Sequence, residues 1–183
     1  MLRHLRGVIG ALTVCLWATA PQATQVIYRS PQELGRESSL VVQGRVAGVQ
    51  SYWNETHSKI FTEAQVTIEE SYKGERPGTV RVLQLGGVVG HVRMTVAGSL
   101  SWNPGEEVLL FLEPSMGGAY QVSGFSQGKF TVERDPETGL PYVSRPALEG
   151  AEVLRAPGSD AAEPITGVTR MPLERFINEA LNR

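Results

Sequence analysis

The stretch from Val80 to Glu113 restricts the possible folds of this chain most, because it combines a buried-strand pattern with repeated glycines. Its strongest apolar run is VLLFL, from Val108 to Leu112. A short apolar run between turn residues is typical of a strand buried on both faces. Glycines at positions 86, 87, 90 and 98 precede it. Glycines within strand-like sequence indicate bulges or bends, so we expect the sheet to curl into a small barrel.

Composition favours the same class of fold. The chain has 183 residues, with 20 glycines and 11 prolines. With few helical periodicities, this predicts an all-β fold (a β-rich α+β chain) with many turns, in one domain that can bury a core. A content of 41% hydrophobic and 20% charged residues is typical neither of a disordered chain nor of a membrane-embedded one.

Residues 1–23 have the features of a secretory signal peptide. Arg3 and Arg6 supply positive charge, residues 7–18 are apolar, and Ala18-Thr19-Ala20 fits a cleavage site. Because proline follows that site, we expect cleavage a few residues later, after Ala23. The predicted location is secreted or periplasmic, without stable membrane insertion after cleavage.

Cys15, the single cysteine, lies inside this segment. It ends a sequence that departs from a lipobox, because Val14 stands where a small residue is needed, so lipoprotein anchoring at Cys15 is the less favoured alternative. An uncleaved anchor is another. Cleavage would leave a chain without disulfides, held by its core. It would also reduce 17 basic residues to 15 against 19 acidic ones, a net charge of about −4. A basic stripe for nucleic acid is not expected.

Periodicity predicts a barrel over residues 26–145. Ser30-Pro31-Gln32-Glu33 is a capping box, which predicts a short helix through Arg36. Residues 40–49 are apolar on both faces and predict a central strand, while residues 60–72 alternate as a half-buried strand does. These two strands form a predicted hairpin whose loop is 52–59. Further strands are expected at 80–85, 88–96 (broken), 107–112, 119–123, 129–133 and 142–144.

The strand-like apolar pattern ends near residue 145. Residues 146–168 contain several prolines and glycines and predict a linker or an ordered wrap. Residues 169–183 predict an amphipathic helix, since Leu173, Phe176, Ile177, Ala180 and Leu181 form one apolar stripe. We expect this helix to dock on the barrel; a partner protein or a membrane surface is the alternative.

Gly124-Phe125-Ser126-Gln127-Gly128 matches the G-x-S-x-G pattern of serine hydrolases. That chemistry requires a strand, a sharp turn and a helix, with the acid and the histidine later in the chain. Here a strand-like segment follows, and no histidine lies beyond position 91. We therefore predict a glycine-rich turn and no catalytic residue, with a hydrolase using Ser126 as the alternative.

His57 and His91 are the only histidines after the signal segment. A zinc site needs three or four ligands, usually including a closely spaced pair, and these two do not form one. We predict surface histidines, no metal site and no cofactor.

The predicted loop of the first hairpin is the clearest candidate for binding. Tyr52 and Trp53 offer rigid apolar area, and Asn54 and His57 offer hydrogen bonds. Tyr52 and Trp53 are expected to point to opposite faces, so that one closes the barrel end and the other reaches solvent beside His57.

A resemblance accompanies these features. A short helix leads into Val41-Val42-Gln43-Gly44-Arg45-Val46, and a long alternating strand ends in Tyr72-Lys73-Gly74. This arrangement is similar to the start of netrin-like and TIMP-like domains, over about Ser30 to Phe130. The segments LGGVVGHV, PGEEVLLFL and FSQGKF also resemble those of uncharacterised secreted bacterial proteins. The resemblance implies a small OB-like Greek-key β-barrel with a short N-terminal helix and a C-terminal amphipathic helix.

TIMP-like inhibitors chelate the protease zinc through an N-terminal cysteine, and the expected mature chain has none. That mechanism is therefore not carried over. The sequence predicts a non-enzymatic binding or accessory module with a protein partner. The alternative from another class is an enzyme, a hydrolase using Ser126, and a protease inhibitor acting through loops is a third hypothesis.

Overall fold

The computed structural model of this protein describes residues 24–145, 151–154 and 170–183. The predicted signal peptide, residues 1–23, lies outside this part, as does most of the predicted linker. Of the linker, only residues 151–154 are described.

The described residues form strands joined mostly by short turns, with two helices. The strands are β1 (Thr24–Ile27), β2 (Leu40–Trp53), β3 (Ile60–Lys73), β4 (Thr79–Leu85), β5 (Gly87–Val89), β6 (Val92–Met94), β7 (Glu107–Pro114), β8 (Tyr120–Val122), β9 (Lys129–Arg134), β10 (Pro141–Ser144), β11 (Ala151–Leu154) and β12 (Met171–Pro172). The helices are α1 (Pro31–Glu37) and α2 (Leu173–Leu181), and a single 3₁₀ turn spans Met116–Gly118.

Five strands close into a ring. β2 pairs with β7 on one side and β3 on the other, and β4 follows β3. β8 completes the ring by pairing antiparallel with β7 and parallel with β4. This ring is the predicted OB-like Greek-key barrel. β2 is central, as its two apolar faces indicated.

The two long strands bend to close the barrel. β2 and β3 each contain 14 residues, and their pairing shifts register at three places, the last between Val46 and Gly48. Such bulges bend a strand and increase its twist. The inner faces then enclose an apolar core, in which Val42, Val66, Leu110 and Trp102 take part. Trp102 therefore packs inside.

A second apolar cluster lies on the outer face of β7. Here β9, β10 and β12 extend the sheet beyond the ring. The rings of Phe111, Phe130 and Phe176 meet in this cluster, with 4.6 Å between the centroids of Phe130 and Phe176. Leu173, Phe176 and Ile177 are buried, which confirms the predicted docking of α2 on the barrel.

Helix α1 begins as its capping box predicted. Ser30 Oγ accepts a hydrogen bond from the Glu33 amide, and the Glu33 carboxylate accepts one from the Ser30 amide. The helix passes so close to α2 that a Cβ on Gly35 would collide with the carbonyl oxygen of Ala180. Only glycine fits this crossing.

Two expectations need correction. Residues 88–96 do not continue the sheet as a broken strand, because positive φ at Gly86 and Gly87 turns the chain into a separate β5–β6 hairpin. Tyr52 and Trp53 belong to β2 and not to a loop, since they pair across the hairpin with Phe61 and Ile60. Within the segment predicted as a linker or an ordered wrap, β11 pairs parallel with β1.

A buried polar chain crosses the sheet near α2. The Tyr72 hydroxyl donates to Gln43 Oε1 over 2.7 Å, and Gln43 Nε2 donates to Glu107 Oε1 over 2.7 Å. Burial raises the pKa of Tyr72 above the ordinary tyrosine value of 10.0, and the carboxylates of Glu70, Glu174 and Glu107 raise it further. The folded state therefore holds the Tyr72 proton more tightly than the unfolded state does.

The raised pKa of Tyr72 predicts that the fold loses stability at alkaline pH. The raised pKa stabilises the fold fully below the unfolded value, and that contribution disappears as the pH rises through the folded pKa. We expect Tyr72→Phe to remove part of the alkaline slope in urea unfolding measured from about pH 8 to 11. At neutral pH it should cost about 1 kcal/mol, because Gln43 loses a donor. Tyr52→Phe, at an exposed ring, is the control. An unchanged slope in Tyr72→Phe would contradict the coupling.

Candidate functional site

The outer end of the β2–β3 hairpin presents the predicted aromatic side chains. Trp53 is half-buried and stacks on the His57 ring, with 6.2 Å between the centroids. Tyr52 is exposed and lies 6.5 Å from the ring of Phe61. Neither Tyr52 nor Trp53 belongs to the barrel core, so the expectation that one of them closes the barrel end is wrong.

Asn54 organises the loop between these strands. Its Oδ1 accepts hydrogen bonds from the amides of Ser58 and Lys59, both over 2.8 Å. Its Nδ2 donates to the hydroxyls of Thr56 and Ser58. His57 has a positive φ of 52° within this turn. These bonds hold the loop in one shape, and they occupy the amide that sequence analysis assigned to a ligand.

A groove lies between this loop and the 3₁₀ turn at Met116–Gly118. We call it the hairpin groove; its volume is about 310 Å³. Its floor comes from β3 and β4. It is lined by Tyr52, Trp53, Asn54, Glu55, Phe61, Glu63, Arg81, Leu83, Met116, Gly117 and Ala119. The first-hairpin loop, the loop that precedes the last ring strand and the strands between them form the ligand surface of OB-folds.

An ion pair fixes one wall of the hairpin groove. Arg81 lies 3.4 Å from the Glu63 carboxylate and donates to the Gly117 carbonyl over 2.6 Å. Arg81 therefore ties the 3₁₀ turn to β4 and holds Met116 at the rim, where its side chain is 67% exposed. The groove is consequently built before any ligand arrives.

The structure brings three of the four predicted residues to one surface. Tyr52, Trp53 and Asn54 line the groove, whereas His57 stacks on Trp53 without lining it. Sequence analysis missed Met116 and Arg81. The Gly117-Gly118 pair marks a turn near Met116, but no local signal shows that this turn faces the hairpin loop. Arg81 sits in an ordinary strand position and carries no signal of its own.

A second cavity adjoins the hairpin groove. β4 and β8 pair at only one position, Val82 with Tyr120, and the cavity of about 330 Å³ includes residues of both strands. We call it the Ser126 cavity. It shares Phe61, Leu83 and Met116 with the groove.

The G-x-S-x-G segment forms a tight turn beside this cavity, between β8 and β9. The Ser126 amide donates to the Gly124 carbonyl over 3.0 Å, and Phe125 between them has a φ of 71°. Positive φ at a bulky residue is rare and strained. The predicted turn is thus present, and the strand β9 follows it where a hydrolase elbow would have a helix.

The remaining candidate groups lie apart from these features. His91 is exposed at the β5–β6 turn. Among the residues that the structure describes, no cluster of His, Cys, Asp and Glu side chains has the geometry of a metal site. In the same residues, no helix is long and apolar enough to span a membrane.

Comparison with known proteins does not assign this chain to a family. The chain matches no protein-family model, and no curated protein is similar to it in sequence.

Proposed function

We propose that this protein is a secreted or periplasmic binding module that recognises a protein partner through the hairpin groove. The observation that carries the proposal is the meeting of Tyr52 and Trp53 with Met116 and Arg81 on one preformed surface. Tyrosine, tryptophan, methionine and arginine are the residue types enriched at protein interfaces. The resemblance to netrin-like and TIMP-like domains stays a prediction alongside this proposal.

The exposed apolar side chains favour a protein surface as the partner. Tyr52 is 38% exposed, Met116 67% and Phe125 49%. Apolar area of this kind, rimmed by polar groups, is typical of interaction sites. Because the two cavities share three residues, a partner that covers the hairpin groove can also reach Phe125.

The charges of the groove disfavour nucleic acid. Arg81 is the only basic residue among its described lining residues, and it is paired with Glu63. Glu55 adds a second acidic group. Affinity for a phosphate backbone comes mainly from several lysine or arginine contacts. Binding of a polypeptide does not require such lysine or arginine contacts.

The proposal includes a non-enzymatic role. Its support is local: the turn that carries Ser126 leads into β9, and Ser126 is buried. Covalent labelling of Ser126 by a fluorophosphonate would contradict this part of the proposal.

The test begins by placing a photo-crosslinking amino acid at Glu55, which is exposed beside the groove. The captured partner is identified and then purified. We expect Tyr52→Ala and Met116→Ala each to weaken its binding by at least about 2 kcal/mol, the loss typical of a central interface residue. Calorimetry or surface plasmon resonance measures the loss, and circular dichroism checks the fold.

Leu140→Ala is the matched control, because Leu140 is an equally apolar side chain, 57% exposed, in the turn between β9 and β10. It should leave binding unchanged. If folded Tyr52→Ala and Met116→Ala proteins bind the partner as tightly as the wild type, the hairpin groove is not the binding site.

A further inference from the structure

The Ser126 cavity contains a polar group that the fold leaves unsatisfied. Ser126 is 2% exposed, and no group of the described chain hydrogen-bonds to its Oγ. A buried hydroxyl without a partner costs roughly 1 to 3 kcal/mol, so such groups are uncommon and call for a reason. The residue lines a cavity large enough for a small organic molecule.

The rest of the cavity lining is mainly apolar, and hydrogen bonds to Gln84 fix the part formed by Leu100 and Trp102. Val82, Leu85, Leu100, Trp102 and Val122 supply apolar walls, and Phe125 also lines the cavity. The Gln84 side chain accepts hydrogen bonds from the Leu100 amide and from Trp102 Nε1, and it donates to the Leu100 carbonyl. The segment that covers the cavity is therefore tied to β4, and the amide of Gln84 is already satisfied.

The charge of the cavity lining restricts the class of ligand that can bind. Among the described residues that line the cavity, Glu113 is the only charged one. An anionic ligand would meet this carboxylate with no cation to offset it. Apolar walls with few polar groups are typical of small-molecule sites, where the polar groups fix orientation.

We propose that the Ser126 cavity binds a small, largely apolar molecule without negative charge that carries one hydrogen-bonding group, which pairs with Ser126 Oγ. Strain at Phe125 is consistent with this role, because strained backbone concentrates at ligand-binding sites. The Ser126 cavity shares Phe61, Leu83 and Met116 with the hairpin groove, but this proposal does not depend on a protein partner binding there.

Indole is a suitable probe, because it is flat, neutral and apolar and has one N–H donor. Titration of the ¹⁵N-labelled protein should shift the amide signals of Leu100, Val122 and Ser126, with a dissociation constant on the order of 1 mM for so small a ligand. Indene has the same shape without the donor and should bind about five-fold more weakly. In Ser126→Ala, indole and indene should bind equally, while indene keeps its wild-type affinity.

A matched pair of variants locates the site. Ser99 is exposed and lines the cavity, so Ser99→Trp should fill its mouth and weaken indole binding at least about ten-fold. Ser101 is also exposed but does not line the cavity, so Ser101→Trp should bind as the wild type does.

Three results would overturn the proposal: no saturable indole binding, equal binding by folded Ser99→Trp protein, or no preference for indole over indene in the wild type. Each leaves the test of the hairpin groove unaffected, because the groove is probed by Tyr52→Ala and Met116→Ala with a protein partner.

Discussion

Phe176→Ala is expected to lower the free energy of unfolding by about 3 to 5 kcal/mol, the usual cost of truncating a buried phenylalanine. Phe176 is 5% exposed and lies between the rings of Phe111 and Phe130. The cavity left behind would sit between α2 and β7, where α1 also packs. Because Gly35 holds α1 against Ala180, the two helices cannot easily close the gap. Urea unfolding followed by circular dichroism measures the loss.

Asn178→Ala is the matched control on the same helix. Asn178 is exposed, and alanine favours helix more than asparagine does, so the change should stay within about 0.5 kcal/mol. A loss below about 1 kcal/mol for Phe176→Ala would mean that α2 contributes little to the fold. The helix would then be free to serve a partner, which was the alternative left open by the sequence.

Glu106→Gln is expected to cost a similar amount, about 3 to 5 kcal/mol, because it leaves a buried ammonium without its counter-charge. Lys129 is 2% exposed. Its Nζ lies 2.7 Å from Glu106 Oε1 and 3.0 Å from the Ser101 carbonyl oxygen, and 5.1 Å from the centre of the Trp102 ring. Because Lys129 is buried, water cannot readily solvate its ammonium group when the Glu106 carboxylate is removed.

The double variant separates the charge effect from packing. Lys129→Met with Glu106→Gln removes both charges while keeping most of the volume, and such replacements of buried pairs are often neutral. We expect it to regain most of the stability that Glu106→Gln loses. Glu179→Gln is the exposed control, since the Arg175–Glu179 pair is open to solvent and should contribute less than about 1 kcal/mol. If the double variant is as unstable as Glu106→Gln, the loss does not come from the unpaired charge.

The sequence by itself determined the elements whose signals are local. The capping box at Ser30 set the start of α1, and the apolar stripe around Phe176 set the buried face of α2. The run from Val108 to Leu112 set a strand buried on both faces, as β7 is. Each of these signals comes from residues close together in the sequence. Capping and amphipathic periodicity act within one or two helical turns.

Only the tertiary structure decided where these elements meet. The barrel closes through the short strand β8, whose single pairing with β4 has no sequence signal. That closure places Met116 opposite Tyr52 across Arg81, and it brings the Ser126 turn to a cavity walled by β4. The aromatic residues around its hairpin predict Tyr52 as a site residue. Arg81 has no such local signal, because its role depends on its contacts with Glu63 and Gly117. Pairing between distant segments depends on how the whole chain packs, so no local pattern reveals it.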